Sequence, residues 1–221
     1  MKLISRILLL ATLCSVIYVL VSFNALELSF LKKHYSWTVS KSLPYIMLGI
    51  GGLLMAFFCA KSFKFKSRII TAIIHTFLVV SPFAIGFAMH PIYEGDFSSK
   101  GIEIESSEVV VNGKYDLMVI TIPGCPFCLE SIQKLKLIKE LNPEISILFA
   151  VCAKDEKDMS LYKEEVNGAF DVKLAEDAEQ SMKLARGHFP SFVHLEDGKP
   201  EYLWSNSQFG AGAIDELLSE L

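Results

Sequence analysis

The chain has 221 residues, 52% of them hydrophobic, a mean hydropathy of +0.40 and a formal net charge of −4. That is too apolar for an ordinary soluble domain, and the charge is unevenly divided: residues 1–93 carry nine Lys/Arg and one Asp/Glu, residues 94–221 twelve and twenty-four. A basic apolar front and an acidic mixed rear imply two regions in different solvents, and the acidic balance of the water-soluble part gives nucleic-acid binding no support.

The front region reads as membrane. Ile7–Leu26, Ser42–Ala60 and Ile69–Tyr93 are free of charge over 20, 19 and 25 residues, and a helix needs about 20 to cross a hydrocarbon core. We therefore expect three spans, at about 7–26, 42–60 and 69–91, within a membrane region 1–93. The first could instead be a signal peptide with Lys2 and Arg6 as its basic flank, but no small-x-small cleavage site follows it. Lys2, Arg6, Lys61, Lys64, Lys66 and Arg68 flank one side, and Lys32, Lys33 and Lys41 the other. The positive-inside bias puts the N-terminus in the cytoplasm and residues from about 94 onward outside, facing a periplasm-like, oxidising space. The expected location is thus a bacterial inner membrane.

Within the spans, Cys14 and Cys59 read as small apolar residues and His75 as an intramembrane polar group, whereas His90 lies near the outer end. Pro82 is expected to kink the third span, and Gly49, Gly51 and Gly52 to allow close packing in the second. Residues 94–108 read as a polar linker holding a domain off the membrane.

The rear region alternates element types. Val109-Val110-Val111, an Asn112-Gly113 turn and Leu117–Ile122 read as strand, turn and strand. A helix follows, with Leu129, Ile132, Leu135, Ile138 and Leu141 on one face, ending near Asn142-Pro143. Next come a strand at Ile145–Val151, a helical insert at Asp155–Val166 with Met159, Tyr162 and Val166 on one side, a short strand at Phe170–Leu174 and a helix at Asp177–Ala185. A hairpin, Ser191–Leu195 and Glu201–Trp204, turns at Glu196-Asp197-Gly198-Lys199. The last helix carries Ile214, Leu217, Leu218 and Leu221 as one stripe. Together these make an α/β sandwich over 109–221, a single-domain size.

Chemistry concentrates at Pro123-Gly124-Cys125-Pro126-Phe127-Cys128. Cys125 falls at a helix N-terminus, where free N–H groups and the helix dipole favour a thiolate, and Cys128 lies one turn in. Pro126 suits the first helical turn because its missing N–H costs nothing there.

This C-x-x-C, the element order, Ala185-Arg186-Gly187-His188-Phe189-Pro190-Ser191-Phe192-Val193 and the later Asp197-Gly198 resemble the thioredoxin superfamily over about residues 105–221. The resemblance implies a thioredoxin-like sandwich with a central mixed sheet and a cis bond before Pro190 facing the cysteines. It implies a thiol–disulfide oxidoreductase in which Cys125 attacks and Cys128 resolves, without a cofactor or a metal. Pro190 and the backbone around Phe189 would hold a substrate segment, with Pro126, Phe127 and Phe189 beside the sulfurs. Two family features are missing: Gly124 stands where thioredoxins often carry tryptophan, and Val119 where they bury an acidic residue. That leaves the proton acceptor for Cys128 unassigned, Glu130 reading as a solvated helix residue. His188 reads as a surface residue and Cys152 as a small buried one.

The expected partners are extracytoplasmic protein thiols or disulfides, together with a possible membrane redox partner. Two alternatives remain open: a dedicated reductant for cytochrome c maturation or one client, and copper handling in which Cys125, Cys128 and His188 hold Cu(I).

Overall fold

In lipid a backbone has no water to bond to, so a charge-free run must satisfy its N–H and C=O groups as helix. The computed structural model describes residues 2–63, 66–98, 101–104, 109–111 and 114–220. It divides into two units, Met1–Ile92 and Tyr93–Leu221. Among the described residues, the elements of the first unit are helices: α1 (Lys2–Val21), α2 (Phe23–Leu31), α3 (Trp37–Ser62) and α4 (Arg68–Met89). Of these, α1, α3 and α4 are long and apolar enough to cross a membrane.

Their bounds differ from the charge-free runs. The chain turns at Ser22, and residues 23–26 open the short helix α2, which carries Glu27. Helix α3 starts before Lys41 because the Ser36 hydroxyl accepts the Val39 N–H at 3.3 Å, capping a helix that one lysine does not interrupt. Lys64, counted toward the basic loop, lies outside the described residues. Two of the three α3 glycines pack closely: a Cβ on Gly51 would meet Val16 at 2.5 Å and one on Gly52 the Val79 carbonyl at 2.5 Å, whereas Gly49 has open space. Pro82 lies buried inside α4.

Among the described residues of the second unit, six strands form one sheet in the order β1-β6-β5-β2-β3-β4. In chain order these are β1 (Ile102–Glu103), β2 (Leu117–Thr121), β3 (Ile147–Val151), β4 (Asp171–Leu174), β5 (Ser191–Glu196) and β6 (Lys199–Ser205). The crossovers β2 to β3 and β3 to β4 are parallel, and β5 runs antiparallel to β2 and β6. Helix α5 (Pro126–Leu141) follows β2; α6 (Ser160–Val166), led by a helical turn at Glu156–Met159, follows β3; α7 (Ala178–Leu184) follows β4; and α8 (Ala211–Ser219) closes the unit.

Both β2 and β3 are buried at every position, which explains their unbroken apolar runs. On one face Met118, Ile120, Leu148, Ala150, Val193 and Leu203 form a cluster against which α7 residues Ala178 and Leu184 pack. Phe192, Phe209 and Trp204 form an aromatic stack, the first two rings 3.9 Å apart. The hairpin turns on Asp197 and Gly198, both left-handed at φ +50° and +76°, the geometry a two-residue Asp-Gly loop supplies.

Two expectations fail here. Val109–Val111 is not a strand: the Val111 N–H donates to the Gly198 carbonyl at 3.0 Å, so the segment packs over the hairpin turn. The Asn112-Gly113 turn and Leu221 of the last stripe lie outside the described residues. Nor is 94–108 a free spacer where it is described. Residues 94–96 form a helical turn, and β1 pairs with β6. Asp96 is 4% exposed; its carboxylate accepts the Tyr93 N–H at 2.8 Å and the Ala211 N–H, at the start of α8, at 3.4 Å.

Gly95 makes this packing testable. A Cβ there would stand 1.8 Å from the Gln208 carbonyl oxygen and 2.6 Å from the Gly210 nitrogen, both backbone atoms. Gly95→Ala should destabilise the second unit by at least about 1–3 kcal/mol in denaturant unfolding. A free spacer would tolerate it.

Candidate functional site

The site begins where β2 ends. After Thr121 the chain leaves the sheet through Pro123 and Gly124, whose φ of +71° suits glycine, and re-enters regular structure at α5. Cys125 is the N-cap of α5: its sulfur accepts the Cys128 N–H at 3.1 Å, the role usually taken by a Ser or Asp oxygen. Pro126 is exposed and occupies the first helical position. Cys125 and Cys128 are joined as a disulfide with Cα atoms 5.3 Å apart. Cys128 is fully buried and Cys125 8% exposed.

The second part arrives from the other side of the sheet's end. After α7, Arg186 and Gly187 both take left-handed backbone (φ +51° and +77°), turning the chain into Phe189-Pro190, whose peptide bond is cis. The Cys125 sulfur lies 3.9 Å from the Phe189 carbonyl oxygen. Pro190 is buried, and Ser191 behind it donates to the His188 carbonyl at 2.7 Å. Cys125, Cys128, Phe189 and Pro190, distant in sequence, thus converge. Phe127 is 58% exposed, and half-buried Phe189 packs against the core. Both rings line a groove of about 640 Å³, together with Ile102, Arg186 and Gln208.

Other residues singled out by sequence lie elsewhere. Val119 is fully buried between Phe149 of β3 and Phe192 of β5, a purely apolar position. Glu130 and His188 are exposed. Among the described residues, His188 does not join the two sulfurs in a cluster of metal-ligating atoms.

Sequence patterning placed Tyr162 on the inner side of the insert without giving it a role. Its ring is 1% exposed, and its hydroxyl donates to the Ile122 carbonyl at 2.6 Å, in the loop leading to the cysteines. Burial pushes this hydroxyl's pKa up, while the Cys125 backbone N–H pulls the other way, so it stays a donor at neutral pH. The signal was a polar-tipped aromatic on the inner side of a short helix, its ring against Phe149 of β3. Tyr162→Phe should cost about 0.5–1.5 kcal/mol, a buried hydrogen bond's usual worth, measured by unfolding of the oxidised protein.

Cys152 follows β3, is 8% exposed and lies in the apolar cluster on the α7 face. Burial pushes its thiol up to about 11, so it is protonated and unreactive at neutral pH. Iodoacetamide at pH 7.5 should leave Cys152 unmodified in the native protein and alkylate it after denaturation, as read by peptide mass mapping.

No protein-family model and no curated protein sequence matches the chain. Two solved structures resemble it weakly. One is a secreted Mycobacterium tuberculosis disulfide oxidoreductase homologous to E. coli DsbE, 17% identical over 48% of this chain and 80% of that one, with a TM-score of 0.38. The other is a thioredoxin-like protein from Bacteroides caccae, 15% identical over 88% and 77%, with a TM-score of 0.33. Scores this low leave the assignment to the chain's own features. With β2, β3 and β4 parallel, β5 and β6 antiparallel beside them, and a cysteine pair opening the helix after β2 opposite the Pro190 loop, the second unit is a thioredoxin-like domain.

Proposed function

We propose that the protein is a membrane-anchored thiol–disulfide oxidoreductase that exchanges disulfides with extracytoplasmic proteins through Cys125 and Cys128. The observation that carries this reading is the Cys125 sulfur itself, which caps α5 and faces the Pro190 loop. In the reduced protein a thiolate at Cys125 would keep the Cys128 N–H as a charge-assisted donor.

The reaction balances within the site. The Cys125 thiolate attacks one sulfur of a substrate disulfide; the Cys125–substrate bond forms, the substrate S–S bond breaks, and the other substrate sulfur leaves as thiolate. The Cys128 thiolate then attacks the Cys125 sulfur, releasing the second substrate thiolate and closing the Cys125–Cys128 disulfide. Run backwards, the same steps oxidise a substrate dithiol. Phe127 and Phe189 would offer apolar contact to a segment lying in the groove, and the Phe189 backbone would hold it. The lysine and arginine bias of the short loops supports a cytoplasmic N-terminus and a periplasm-facing domain in a bacterial inner membrane.

The test uses the full-length protein in detergent. It should catalyse dithiothreitol-dependent reduction of a model disulfide protein, and Cys125→Ser should abolish this. Cys128→Ser should retain attack but not resolution, accumulating a mixed disulfide on Cys125 visible on a non-reducing gel. Turnover undiminished in Cys125→Ser would overturn the assignment.

A further inference from the structure

Away from the cysteines, the α8 end of the domain holds a cluster the redox reading leaves unused. His194 of β5 is 6% exposed, and its Nδ1 is buried without a hydrogen bond. The Glu201 carboxylate of β6 approaches this nitrogen to 3.2 Å, and that of Glu220, directly after α8, to 3.0 Å. The nitrogen thus has two carboxylate oxygens close by and a hydrogen bond to neither. All three donor atoms lie within 4.8 Å of one another.

We propose that His194, Glu201 and Glu220 form a divalent-cation site of the zinc type. Ligands about 2.0–2.2 Å from a shared ion, at tetrahedral to octahedral angles, stand about 2.9–3.5 Å apart. The two nitrogen–oxygen separations fall in that range. One imidazole and two carboxylates suit zinc and leave further positions to solvent. Two carboxylates converging on a buried nitrogen repel each other until a cation joins them. An ion here ties the end of α8 to the β5–β6 hairpin, whose first strand begins at the Pro190 loop.

The test takes the full-length protein in detergent, oxidised so that the Cys125–Cys128 pair cannot compete. After chelator treatment it is titrated with ZnCl₂ by calorimetry, alongside Glu201→Gln, Glu220→Gln and the double variant. The changed side chains are partly exposed, so these variants should fold even if His194→Ala does not. One zinc per chain should bind, with affinity at least about tenfold weaker in each single variant, and zinc should raise the melting temperature of the parent but not of the double variant. Absence of saturable binding, or an unchanged affinity in the double variant, would overturn the proposal.

Discussion

A sulfur atom accepting a backbone N–H at the start of a helix is the interaction around which the second unit is arranged. For Cys125 to cap α5, the chain must leave β2 at a fixed height and turn within three residues. The height is set because β2 is held between two partners, β3 and β5. The turn is set by Gly124 in a conformation other residues resist, and by the Tyr162 hydroxyl holding the Ile122 carbonyl from behind. The facing loop is delivered by β5, the other strand paired with β2, so cysteines and Pro190 are referenced to the same strand. Precision between parts more than sixty residues apart follows from that shared neighbour.

Much of this was legible in the residues. The apolar runs at 117–122 and 145–151 read as strands and hold β2 and β3, and the Cys-Pro-Phe-Cys spacing put one sulfur at a cap and the other one turn in. The Asp-Gly pair marked the hairpin because both of its residues tolerate left-handed backbone. What was hidden depends on contacts between distant segments. Nothing local in Glu94–Asp96 says that Asp96 will cap a helix that starts at Ala211. Val109–Val111 has every local mark of a strand, yet among the described residues it joins no ladder, and the Val111 N–H goes to the hairpin turn. Tyr162 illustrates the same limit: periodicity gave its side, but not what its hydroxyl would meet.

The first unit follows a different logic. With no water to expel between helices, close approach of backbones must supply the contact, and small residues make it possible. Gly51 and Gly52 face α1 and α4 respectively, while Gly86 of α4 receives Leu48 of α3. Charge-free length located these helices but misjudged their ends. A single lysine interrupts a count of uncharged residues without interrupting a helix, and a serine can begin a new one while leaving the count intact.

The sheet margins carry a further consequence. Among the described residues, one outer strand, β1, has two residues; the other, β4, has four, with Asp171 and Lys173 side by side at the rim and Lys173 also bonded to the Tyr115 hydroxyl. Short margins bearing paired charges offer an incoming extended polypeptide little free backbone to extend the ladder. Recruitment of an extended chain by strand addition is thereby discouraged at both described margins. The tip of the sheet differs from these margins: there the Phe189 carbonyl and the groove beside it lie open next to the Cys125 sulfur.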